Sequence, residues 1–83
     1  MKNLKDKIVF ITGAARGLGY AMAEAFAQEG AKIIIADIQE ELAGQSAQKI
    51  AEEFKVETTA YGIDVTNVES VCSVFAKIKE RYG

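Results

Sequence analysis

Three short strand-like runs alternate along the chain with three longer stretches in which apolar positions recur every three or four residues. The first run, KIVFIT at 7–12, is rich in β-branched and aromatic side chains and apolar on consecutive positions, as a parallel strand covered on both faces requires. After a glycine-rich turn, Leu18, Ala21, Met22, Ala25 and Phe26 recur at i, i+3, i+4, i+7 and i+8. That spacing predicts a helix with these residues on its inward face, and Gly30 supplies the stop. KIIIAD at 32–37 predicts a second buried strand that ends in an acid, and Leu42, Ala43, Ala47, Ile50 and Phe54 mark a second amphipathic helix. Gly44 falls inside that helix at a cost of about 1 kcal/mol relative to alanine, and the sequence offers no reason for it. Val56–Ile63 alternates, which predicts a more exposed edge strand. Thr66 and Glu69 then have capping-box spacing for a third helix, with Val68, Val71, Cys72, Phe75, Ile78 and Tyr82 as its apolar face.

The order β-α-β-α-β-α, with short connections and no proline, predicts an α/β fold of βαβ units around a parallel sheet. Right-handed crossovers put the first two helices on one face when the strands lie in the order 3-2-1, and the third helix on the other, giving three layers. The third helix then leads toward a strand beside the first, a position that nothing before Gly83 fills. Ile8–Ile11 is therefore expected to be an unpaired apolar edge. Residues 1–83 read as the N-terminal portion of one larger domain, with no second domain. The alternative is a complete small protein that covers the edge by dimerising.

Composition narrows the chemistry. With 83 residues, 49% hydrophobic and 27% charged, the chain fits one globular domain or part of one. A net charge of −2 excludes a concentrated basic grip on nucleic acid, and Lys2, Lys5 and Lys7 read as a solvated lead-in. Cys72 stands alone, so no internal disulfide forms, and it reads as a small buried hydrophobe rather than a reactive thiol. There is no histidine, which removes the commonest general base and metal ligand, and no metal centre is expected. No run is long enough for a membrane span or a secretory leader, so no membrane partner and a cytoplasmic location are expected.

The candidate chemistry sits in TGAARGLG at 12–19, where the first strand stops and the first helix starts. A glycine-rich turn there converges backbone N–H groups and the positive end of a helix dipole, which suits a phosphate or pyrophosphate. Gly13, Gly17 and Gly19 follow a strand and open a helix, the arrangement of a dinucleotide site, and no P-loop lysine is present. The spacing resembles the TGxxxGxG fingerprint of the short-chain dehydrogenase/reductase family, classical type. The likeness runs the length of the chain, through Asp37, Asp64–Val65–Thr66 and the Val71/Phe75 helix. It implies a partial Rossmann-like fold and the NAD-binding part of an oxidoreductase that moves hydride between an alcohol or carbonyl substrate and nicotinamide.

The same resemblance implies roles for individual residues. Gly13 would permit the turn, Gly17 close approach to the pyrophosphate and Gly19 close packing of helix on strand. Arg16 and Leu18 would line the turn, and Thr12 would brace it. Asp37, 18 positions after Gly19, would accept hydrogen bonds from the adenosine ribose and repel the 2′-phosphate of NADP; its other reading is a helix cap paired with Glu40. Arg16 dissents, since a basic residue there can meet a 2′-phosphate or simply be solvated. NAD is expected, with NADP, as in 3-oxoacyl carrier-protein reductases, the alternative. Asp64 and Val65 would contact adenine, or Asp64 would only form a turn. The family's catalytic Y-x-x-x-K pair is missing, because Tyr20 is followed four positions on by Glu24 and Tyr61 by Val65, while Tyr82 stands at the end. The chain alone is expected to be inactive. The competing reading is a non-catalytic dinucleotide-binding or interaction module that self-associates through its exposed first strand.

Overall fold

A computed structural model describes residues 4–82; Lys2 and Gly83 lie outside the described residues. The elements run β1 (Ile8–Thr12), α1 (Gly17–Gln28), β2 (Lys32–Asp37), α2 (Glu40–Phe54), β3 (Thr58–Gly62) and α3 (Val68–Tyr82). The strands form one parallel sheet in the order β1-β2-β3, which read from the far edge is the expected 3-2-1. Its register sets Phe10 beside Ile34 and Ile34 beside Thr59. β2 is central, and Ile33, Ile34 and Ile35 are fully buried, which is why this run is apolar without alternation.

Pleating sends successive side chains to opposite faces, and the core divides accordingly. Val9, Ile11, Ile33, Ile35 and Ala60 pack with α1 and α2 on one side. Phe10, Ala36 and Tyr61 pack with Val71, Val74 and Ile78 of α3 on the other. This is a three-layer partial Rossmann-like fold. β3 is half-buried along its length, as an edge strand should be, and starts at Thr58 rather than Val56. Among the described residues β1 pairs with β2 alone, so its outer edge is unpaired.

Three sequence-based expectations about faces and caps are corrected. α1 buries Ala23 and Ala27, with Tyr20 and Phe26 at their flanks, whereas Leu18 is 78% and Met22 44% exposed. At about 100° per residue the buried face is roughly opposite the one expected. The helix is apolar on both sides, and its small alanines allow the closer approach to the sheet. In α3 the seam is Val71, Val74 and Ile78, while Val68 and Cys72 are exposed, so Cys72 is not a core residue. Phe75 remains half outside, its ring 5.1 Å from that of Phe10. The third correction concerns the start of α3: Asn67 Oδ1 accepts from the Glu69 and Ser70 N–H groups, whereas Thr66 turns back to Asp64. The asparagine is one residue closer to the first helical turn, where a cap must stand.

Other junctions follow from the sequence directly. α1 ends in a Schellman motif: Gly30 at φ +92° donates to Ala27 O, and Ala31 donates to Phe26 O. Among the described residues nothing approaches Gly44 closely enough to explain the glycine there. Side chains also lock β3 in place, since Thr58 Oγ1 donates to Ala47 O at 2.9 Å on one face and Thr59 and Tyr82 share a 2.6 Å hydroxyl contact on the other.

Candidate functional site

The site lies at the carboxyl ends of the three strands. One further rung of the β1–β2 ladder forms after Thr12, where the Gly13 N–H donates to Ala36 O at 2.8 Å. The chain then turns at Gly13, φ +66°, and again at Gly17, φ +69°, a region of backbone space that side chains with a Cβ adopt at a cost. Between them Ala14 and Ala15 point into the core and are essentially buried, so the inner side of the turn is packed and its outer side is bare backbone. Among the described residues a Cβ at Gly13 or Gly17 would meet nothing within 4 Å. At Gly19 a Cβ would stand 2.6 Å from Gly13 O and 2.9 Å from Ala14 Cα. The close packing expected at Gly19 is therefore against the turn itself.

The start of α1 differs from those of the other helices. Its N-cap, Arg16, is extended and makes no side-chain cap, and no acid stands in the first turn. α2 likewise lacks a side-chain cap at Gln39 but carries Glu40 and Glu41 in its first turn, and α3 has Asn67 and Glu69. The leading N–H groups of α1 thus find no acid in their own first turn and no side-chain cap, which suits an anion from outside the chain.

Asp37 ends β2 beside this turn. Its Oδ1 accepts from the Gln39 N–H at 3.0 Å and its Oδ2 from the Ala15 N–H at 3.3 Å. The capping box with Glu40 does not form, because Gln39 stands at the N-cap and the Asp37 carboxylate is engaged with its own turn and with the glycine loop. A carboxylate has about four acceptor positions, so two remain for ligand hydroxyls. Asp64, at the end of β3, accepts at Oδ1 from Thr66 Oγ1 at 2.6 Å and from the Thr66 N–H at 3.0 Å. The Thr66 hydroxyl and then its N–H hold this carboxyl below the ordinary aspartate range. The turn-forming role of Asp64 is thus present, and its second oxygen is open to other donors.

A cleft of about 320 Å³ joins these strand ends, lined by Thr12, Gly13, Asp37, Ile38, Asp64 and Val65 among others. Arg16 and Leu18 are exposed on the helix side of the turn, outside the cleft. Two participants were not singled out from the sequence. Ile38, 70% exposed, is an apolar residue directly after the strand-ending acid, and that exposed pairing was the available signal. Ser46 is buried in α2 and donates to Ala15 O at 2.5 Å, a contact across 31 positions that no local pattern reveals. Of the tyrosines, Tyr20 titrates above its ordinary value through burial and then the charges of Glu24 and Glu53, the wrong direction for a general base at neutral pH. Among the described residues no cluster of ligands for a metal ion occurs, and no helix is long and apolar enough to cross a membrane.

The uncapped glycine turn beside a strand-ending acid is matched by more than a local likeness, since a family model described as short chain dehydrogenase fits residues 7–83. The chain belongs to that family. Galactitol 2-dehydrogenase of Agrobacterium fabrum is 44% identical over 80 residues, covering 96% of this chain and 30% of the relative. NAD-dependent glycerol dehydrogenase of Listeria innocua is 39% identical over the same coverage. Among solved structures, L-sorbose reductase of Gluconobacter frateurii, complexed with NADPH and L-sorbose, superposes with a TM-score of 0.94 at 32% identity over 100% of this chain and 32% of that one. This short-chain dehydrogenase chain spans about 30% of the length of these curated relatives.

Proposed function

We propose that the chain is the N-terminal, NAD-binding portion of a short-chain oxidoreductase. The observation that carries this reading is the coincidence, at one sheet end, of an uncapped α1 behind an open Gly13–Gly17 turn with the Asp37 carboxylate tied to that turn. The bare backbone at Gly13 and Gly17 and the first N–H groups of α1 would hold the pyrophosphate, with Arg16 and Leu18 at its border. Asp37 would receive the adenosine ribose hydroxyls, and Asp64 with Val65 would meet the adenine across the cleft. Bound there, the dinucleotide supplies hydride chemistry that no side chain can provide.

NAD is favoured over NADP by charge. Two backbone N–H donors hold the Asp37 carboxylate in place, so it cannot swing clear of a 2′-phosphate without losing them. Arg16 is the counterweight, but it is exposed, and its charge is screened by water. The names of the relatives, which include galactitol, glycerol and L-sorbose, support a polyhydroxylated alcohol or its ketone as the substrate of a longer protein. Tyr20 is followed four positions on by Glu24 and Tyr61 by Val65, so neither forms a tyrosine–lysine pair, and residues 1–83 by themselves should bind cofactor without turnover. A cytoplasmic location accords with this reading.

Titration of the chain with NADH and NADPH tests it, and NADH should bind more tightly. Asp37→Ala should weaken NADH binding and narrow the gap; equal affinities in the unaltered chain, or a gap that survives the substitution, would contradict the assignment. A second reading, self-association, is favoured by the unpaired β1 edge with Ile8 and Phe75 half-exposed beside it. Light scattering that gives a mass rising with concentration would support it, and a constant monomer mass would remove it.

A further inference from the structure

We infer that Ser46 of α2 is a positioning residue for the dinucleotide turn, holding the peptide that follows Ala15 in the orientation an anion needs. The inference rests on the dinucleotide reading above and adds to it a residue outside the fingerprint. Ala15 is held from two sides by groups distant in sequence. Its N–H donates to Asp37 Oδ2 at 3.3 Å, and its carbonyl accepts from Ser46 Oγ at 2.5 Å. Ser46 is 5% exposed and Ala15 3%, so neither the hydroxyl nor the carbonyl has water as an easy substitute.

Peptide geometry gives this bond its consequence. In a trans peptide the carbonyl and the next N–H point in opposite directions. A carbonyl of Ala15 pinned inward on α2 therefore turns the Arg16 N–H outward, to the bare side of the turn between Gly13 and Gly17. Arg16 is the N-cap of α1, so the same peptide also fixes how the helix leaves the turn. α2 comes close enough to do this because Ala43 and Ala47, on the same side as Ser46, are small and buried in the shared core. Without the hydroxyl, the peptide could rotate to bring its carbonyl to water, and the carbonyl would then face an incoming phosphate.

The test compares ligands that do and do not carry a pyrophosphate. In Ser46→Ala, affinity for NADH and for ADP-ribose should fall about tenfold, the scale of one net hydrogen bond, while affinity for adenosine stays the same. A merely structural role would lower all three together, and that result, or no change in any, would overturn the proposal. An unaltered chain that fails to bind NADH would overturn the dinucleotide reading itself and this proposal with it. A measurement on the unaltered chain needs no variant to fold: by NMR the Ser46 hydroxyl proton should exchange slowly and show a through-space contact to Ala15. A hydroxyl exchanging too fast to observe would overturn the clamp.

Discussion

Gly17 and Gly19 stand two positions apart and are glycine for different reasons, which substitution separates. At Gly19 a Cβ would press on the Gly13 carbonyl and Ala14 Cα, both backbone, so Gly19→Ala should destabilise the chain by about 1–3 kcal/mol through overpacking. At Gly17 there is room, and the cost of Gly17→Ala is the left-handed backbone alone, about 1–2 kcal/mol. Thermal unfolding of the two variants measures both. Asp64 offers a pH-dependent test. Its folded pKa is lowered, so the stability it contributes is fully present above the unfolded value of about 4 and is lost as the pH falls through the folded value. Thr66→Val removes the larger cause, and the carboxyl titration midpoint followed by ¹³C NMR should rise; an unmoved midpoint would mean the hydroxyl is not what holds it.

At the scale of elements, the helix starts show what spacing can and cannot reveal. Thr66 and Glu69 have the right separation for a capping box, yet Asn67 takes the cap because the first turn of α3 opens one residue later and Asp64 already engages Thr66. Asn67→Ala should therefore cost about 1 kcal/mol in chemical denaturation, and a negligible change would mean the cap lies elsewhere. The strands were legible because both runs are apolar on consecutive positions, although only Ile33–Ile35 is fully buried and Ile8–Ile11, at the edge, is partly exposed. α2 was legible because only one of its faces is apolar. α1 was not, since Leu18 and Met22 on one side compete with Ala23 and Ala27 on the other, and packing distance decides between them. Cys72 is exposed for a similar reason: it stands next to the α3 seam, and the seam itself runs through Val71, Val74 and Ile78.

For the whole molecule, parallel order places three strand ends side by side, and function follows from that placement more than from any one residue. The turn glycines, Asp37 and Asp64 are up to 51 positions apart in the chain, from Gly13 to Asp64, yet Gly13, Asp37 and Asp64 line one cleft. Alternation of strand-like and helix-like runs was enough to predict this convergence, because ligands of open α/β sheets sit beyond the carboxyl ends of the strands. The Ser46 contact was hidden, since a hydroxyl on the inner side of an amphipathic helix looks like a tolerated small residue until the opposing carbonyl is in view. The central claim is that these strand ends form a single dinucleotide site, and amide shift mapping by ¹⁵N NMR during addition of NADH tests it most directly. Perturbations should concentrate at residues 13–19, at Ile38 and at Val65, and leave the opposite sheet end around Lys5, Lys32 and Lys55 unmoved. Shifts centred on those lysines, or none at all, would contradict it.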